Sequence, residues 1–171
     1  CPKLRYAIIG AFDEESRYVD RLRKRAAELG VSDGLHLVGM TPLEELTAWY
    51  KRAAVFLLLP EDDGAGVEGL GLVYLEAAAA GVPVVGTLHG GVSEAVEAGV
   101  TGLLVPPGEP AAAAEAMEKL LSDEVLRRRM GKAAQERALT FSWSNLAGKV
   151  MGLYLDLIKE RRVSVLPRLT G

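Results

Sequence analysis

Short, uniformly apolar runs alternate along the chain with longer stretches in which apolar side chains recur every three to four positions. Runs at 4–10, 35–38, 54–59 and 102–105, and one opening at 83–85, are rich in Val, Leu and Ile and bounded by glycine or proline. That pattern predicts strands buried on both faces. Between the first two, 13–29 carries an apolar row at Tyr18, Val19, Leu22, Ala26 and Leu29 opposite a charged face. It predicts a helix that Gly30 is placed to cap. Thr41 reads as the N-cap of a second helix reaching about residue 52, with Pro42 at its first position and Glu44 completing a capping box. Further helices are predicted at 71–80, ended by Gly81, and at 90–98, with 61–68 as a polar loop. Beyond Pro110 the period is helical, at 111–121, 123–139 and about 144–162, whereas 163–171 shows none.

This alternation predicts an α/β fold, a doubly wound parallel sheet of Rossmann-like type with a helical C-terminal extension. One domain is expected over 1–162 and a tail over 163–171. Such sheets bind ligands at the carboxyl ends of their strands, here the loops after Gly10, Val38, Leu59 and Val85. The apolar window 69–88 invites a transmembrane reading, but it holds Glu76, four glycines and Pro83. It reads as a buried helix followed by a buried strand, and no span is expected.

Composition narrows the function classes. With 171 residues, 49% hydrophobic and 25% charged, the chain can bury a core and is not a disordered or fibrous sequence. A net charge of −3 gives no basic field to hold nucleic acid or an acidic membrane. The single cysteine, Cys1, excludes an internal disulfide framework and a Cys-based zinc cluster, and the two histidines, His36 and His89, lack metal-ligand spacing. A cytoplasmic-type domain cut from a longer polypeptide is expected.

The richest candidate chemistry lies after the third strand. Gly69 and Gly71 allow a tight turn and close backbone approach, and the helix opening there aims unpaired amides and its positive dipole end at a ligand. That is an anion site suited to a phosphate or diphosphate. Glu76 is the sole charged residue between Glu68 and Glu94, on a helix otherwise made of Leu, Val, Tyr and Ala. A carboxylate buried there needs strong hydrogen bonds, and the adjacent hydroxyls of a ribose would supply them. Glu68 alone reads equally well as a solvated loop residue. His36 is expected to pack, His89 lies at the ligand edge, and Asp62, Asp63 and Arg127–Arg129 read as solvated. Trp143 and Tyr154 are spaced for core packing of the last helices.

Glu68 and Glu76 form an E-x7-E pair. With the run 68–96, the segment 99–108 and the helical stretch 130–143, they make the chain resemble the C-terminal domain of retaining GT-B glycosyltransferases of the group 1 family, from Tyr6 to about Arg162. Residues 67–77 are similar to those of mannosyltransferases that build phosphatidylinositol mannosides. The resemblance implies that Glu76 holds the ribose hydroxyls of a UDP- or GDP-sugar. It implies that Glu68, the candidate catalytic residue, lies beside the donor sugar and stabilises charge near the anomeric carbon. Backbone amides of Gly69, Leu70, Gly71 and Leu72 would bind sugar hydroxyls and the distal phosphate. Met40 and Thr41 would contact the base, and Gly90, Gly91 and Glu94 would shape the sugar and phosphate side of the cleft. The implied reaction moves a hexose such as mannose or glucose to a lipid or saccharide acceptor, with no divalent metal.

The resemblance also implies a missing first βα unit, whose loop carries a diphosphate-clamping arginine and lysine, and a missing N-terminal acceptor-binding domain. The fragment alone is therefore expected to be inactive, and the parent protein is expected to lie peripherally at the inner membrane face. Loss of a central strand would expose backbone groups on two strands, to be met by self-association or by residues 163–166, unless the missing piece is lost after folding. Two other functions stay open: a GT-B-fold nucleotide-sugar epimerase, and a non-catalytic nucleotide-binding module.

Overall fold

The computed structural model describes residues 4–13, 16–61 and 69–164. Within it the chain forms two compact units, Cys1–Trp49 and Tyr50–Gly171.

In the first unit, β1 (Tyr6–Ile9) and β2 (Leu35–Gly39) pair in parallel, with Tyr6 opposite Leu35 and Ile8 opposite Leu37. The crossover helix α1 (Arg17–Glu28) buries Val19 and Ala26. It starts later than the sequence predicts because Ser16, not a residue near 13, caps it: its Oγ accepts the Val19 N–H at 3.3 Å. Gly30 ends the helix as expected, with φ +66° and its N–H on the Ala27 carbonyl. Tyr18 and Leu29, expected in the buried row, are both 58% exposed.

Helix α2 (Leu43–Arg52) leads into the second unit. Thr41 does not cap it, because the first helical bond runs from the Leu46 N–H to the Pro42 carbonyl, which puts Pro42 at the capping position. The Thr41 hydroxyl is buried without a hydrogen-bond partner among the described residues. Next come β3 (Phe56–Leu58), α3 (Leu72–Ala79), β4 (Val84–Thr87), α4 (Val92–Ala95), β5 (Gly102–Val105), α5 (Pro110–Ser122), α6 (Glu124–Thr140) and α7 (Trp143–Ser164). The three strands are parallel in the order β3-β4-β5. Successive residues of β4 explain its unbroken apolar run: Val84 joins a core with Tyr74, Ala77 and Val92, while Val85 joins another with Ala113, Leu120 and Met130. The sheet is thus covered on both faces, by α3 and α4 on one and α5 and α6 on the other. α4 is shorter than predicted, since Gly90 adopts a left-handed φ of +55° before it and Val96 turns extended after it.

The parallel α/β class stands, but the strands form two sheets, of two and three strands. Among the described residues β1 pairs only with β2, and β3 only with β4. Each therefore keeps one open edge. Val163 and Ser164 belong to α7 and do not form a strand, and 165–171 lie outside the described residues. α6 crosses α3 so closely that a Cβ on Gly131 would fall on the Gly81 carbonyl oxygen. Trp143 and Tyr154, expected in a core, are 83% and 59% exposed on α7. Helical spacing shows that a stripe can be buried; it does not supply the face that would bury it.

Candidate functional site

The strand-to-helix turn after β3 is built around Gly71, which is buried, sits in the left-handed region at φ 64°, ψ 69° and accepts the Tyr74 N–H at 2.9 Å. A side chain is disfavoured in that conformation, so glycine is required for the chain to enter α3 at this angle. The Tyr74 ring is buried beneath, with its hydroxyl donating to the Leu58 carbonyl at 3.0 Å, which ties α3 to the end of β3. The Leu72 and Val73 amides that open α3 have no helical carbonyl behind them, so the turn can take an anion along the dipole.

A second turn leans on the first. A Cβ on Gly91 would collide with the Gly69 carbonyl, so only glycine lets the 90–91 turn after β4 approach the turn after β3. Gly91 accepts the Glu94 N–H at 3.0 Å. Arg137 of α6 fixes this segment from behind, donating from Nε to the Ala95 carbonyl at 3.1 Å and from a terminal nitrogen to the Glu94 carbonyl at 2.5 Å. A weaker ion pair joins it to Glu97 at 3.7 Å. His89 sits in the same loop, its Nε2 buried without a partner among the described residues.

Glu76 is not buried. It shares the exposed side of α3 with Leu72, Val73 and Ala79, while Tyr74, Ala77 and Ala78 face inward. A helix apolar all round does not reveal which side is covered, and the carboxylate falls on the open one. Its Oε2 accepts the Tyr50 hydroxyl proton at 3.0 Å. Burial and then this hydrogen bond push the Tyr50 phenol well above its ordinary range, so it remains a donor. Sequence reasoning missed both Tyr50 and Arg137. Their contacts span 26 and 43 positions, and no local pattern marks them.

Gly69, Leu70, Gly71, Leu72, Glu76, Gly90, Gly91 and Glu94 all belong to the second unit, and the two glycine turns touch. Met40, 76% exposed, and Thr41 belong to the first unit. Glu68, Asp62 and Asp63 lie outside the described residues. Among those described, no three or more His, Cys, Asp or Glu side chains are grouped to hold a metal ion, and no helix is long and apolar enough to cross a membrane. A cavity in the first unit, lined by Arg23, Ala26, Ser32, Leu35 and Leu37, contains none of the candidate residues.

A sequence model of the glycosyl transferases group 1 family matches residues 1–137. The chain is 40% identical over 160 residues to a D-inositol 3-phosphate glycosyltransferase of Corynebacterium glutamicum, covering 94% of this chain and 37% of that protein. Among solved structures, sucrose-phosphate synthase from Thermosynechococcus elongatus superposes with a TM-score of 0.72 at 31% identity, over 90% of this chain and 38% of that one. Anabaena HepE in complex with UDP gives a TM-score of 0.75 at 26% identity, over 91% and 42% of the two chains. The chain thus spans well under half the length of each.

Proposed function

The chain belongs to the glycosyl transferases group 1 family, and we propose that it binds the nucleotide diphosphate sugar for a retaining glycosyltransferase. The observation that carries this is the pair of touching glycine turns at the amino end of α3, with an accessible carboxylate on that helix. The amides at the start of α3 receive the diphosphate and the negative charge that grows on it as the sugar departs. Glu76 accepts hydrogen bonds from the two ribose hydroxyls. Glu68, directly before Gly69 in sequence, stabilises positive charge at the anomeric carbon. The Gly90–Gly91 turn and Glu94 close the sugar side. The UDP held by HepE, whose fold this chain shares, supports a uridine diphosphate sugar as donor, with a guanosine diphosphate sugar as the alternative. A lipid or saccharide is the acceptor, bound by further length that the relatives have and this chain does not span.

Thermal unfolding in the presence of UDP, GDP and ADP tests the reading. A ligand at a hundred times its dissociation constant stabilises the folded state by about 2.7 kcal/mol. One of UDP or GDP should raise the midpoint and ADP should not; no shift with any of the three refutes donor binding. A protein carrying this chain with its remaining domains should transfer sugar with retained anomeric configuration, whereas an epimerised free nucleotide sugar would identify the isomerase of the same fold.

A further inference from the structure

Glu76 stands exposed on α3, and a glutamate in that position gives up rotamer freedom when a ligand immobilises it. In this chain part of that ordering precedes the ligand. The Tyr50 hydroxyl, the first residue's side chain of the second unit, donates to Oε2 at 3.0 Å. Tyr50 is itself fixed by a row of rings. Its ring lies 5.8 Å from Phe56 of β3 at 55°, and Phe56 lies 5.8 Å from Tyr74 at 87°, an edge-to-face contact. Tyr74, 1% exposed, is anchored through its hydroxyl to the Leu58 carbonyl at 3.0 Å. The row thus runs from the core to a solvent-exposed carboxylate, and each ring sits on a different element: α2, β3 and α3.

The geometry points to Tyr50 as a positioning residue that orients the Glu76 carboxylate for a vicinal diol and so sets the preference for a ribose-bearing nucleotide. This rests on the donor-site reading above. An ionised carboxylate has about four acceptor positions. Tyr50 takes one of them on Oε2 and leaves the remainder, including those of Oε1, for two hydroxyl donors. A surface hydrogen bond between Tyr50 and Glu76 adds little to folding. Its effect is on which oxygens are presented, and in what direction.

Tyr50→Phe isolates this role, because it removes the hydroxyl and keeps the ring against Phe56. Affinities for UDP and 2′,3′-dideoxy-UDP, and for the corresponding guanosine pair, are measured by calorimetry for the wild type, Tyr50→Phe and Glu76→Ala, with thermal midpoints alongside. The wild type should prefer the ribose nucleotide, and Glu76→Ala should erase that preference. Tyr50→Phe should lower ribose-nucleotide affinity about three- to tenfold, leave dideoxy affinity unchanged and leave the midpoint unchanged. A Tyr50→Phe protein that weakens both nucleotides equally, or neither, overturns the positioning role while donor binding stands. A wild type without ribose preference, or a preference that survives Glu76→Ala, overturns the assignment of Glu76 and with it the role of Tyr50. Should Tyr50→Phe fold poorly, Glu76→Gln serves as the second variant, since its amide oxygen still accepts from Tyr50. It should retain more of the preference than Glu76→Ala, and equal loss in both counts against the role.

Discussion

Replacing Gly69 and Gly71 by alanine, one at a time, separates the two ways a glycine can serve this turn. Gly71 is held at φ 64° and is buried, so alanine there meets the left-handed penalty of about 1–2 kcal/mol. Restricting the unfolded chain returns about 0.4–1 kcal/mol. A net loss near 1 kcal/mol is expected, and valine, branched at Cβ, should lose more. Gly69 differs: its φ lies outside the left-handed region, and a Cβ built on it meets nothing within 4 Å. Alanine at Gly69 should therefore be neutral or mildly stabilising in urea unfolding followed by far-ultraviolet circular dichroism. The same methyl projects into space that the proposed donor needs, at an overpacking cost of about 1–3 kcal/mol. Calorimetry with UDP or GDP should then show affinity falling roughly 5- to 150-fold for Gly69→Ala with the fold intact. If Gly69→Ala loses as much stability as Gly71→Ala, the open space beside it is misjudged. If it binds nucleotide like the wild type, close backbone approach is not what the glycine provides.

Arg137→Ala removes charged donors from the Glu94 and Ala95 carbonyls and should destabilise the protein by about 1.5–3 kcal/mol in urea unfolding; a loss below 0.5 kcal/mol, roughly the surface norm, would show the contacts to be incidental. Gly131→Ala would push a methyl onto the Gly81 carbonyl and should cost about 1–3 kcal/mol, whereas Gly148→Ala on the open face of α7 should stabilise by up to about 1 kcal/mol. Alkaline stability reports on Tyr50. Its phenol is raised above the ordinary value of 10.0, so above that pH the folded state keeps a proton that the unfolded chain releases, and stability should fall as pH rises further. Tyr50→Phe should flatten that fall, and an unchanged alkaline slope would count against the burial of this phenol.

The elements were legible wherever an apolar run met a backbone breaker. Gly30 and the Pro60 and Gly81 boundaries mark real ends, and Gly102–Val105 is a strand as read. The glycine turn was legible because Gly71 answers a local conformational demand. Long-range facts were not. That Glu76 faces solvent depends on which side of α3 meets the sheet, and that Tyr50 reaches it depends on how α2, β3 and α3 pack. Thr41 illustrates a local failure: the capping motif is present, yet the first helical bond ends on Pro42 and moves the cap by one residue. For Trp143 and Tyr154, periodicity described the helix and was silent about a partner.

The grip of Arg137 on the Glu94 carbonyl has a consequence for the order in which a ribosome delivers this domain. Both glycine turns and every strand of the three-stranded sheet have been synthesised by residue 105, but the guanidinium that braces the second turn is made 43 positions after its partner. The helix that clasps α3 through Gly131 arrives with it. A nascent chain that has emerged only through α5 therefore carries both glycine turns without the braces that shape them, a long-range closure of the kind that slows folding. On the proposed donor reading, nucleotide can stabilise the folded form only once α6 has docked, so nonsense or frameshift lesions between β5 and Gly131 should abolish binding even though they spare both glycine turns and Glu76.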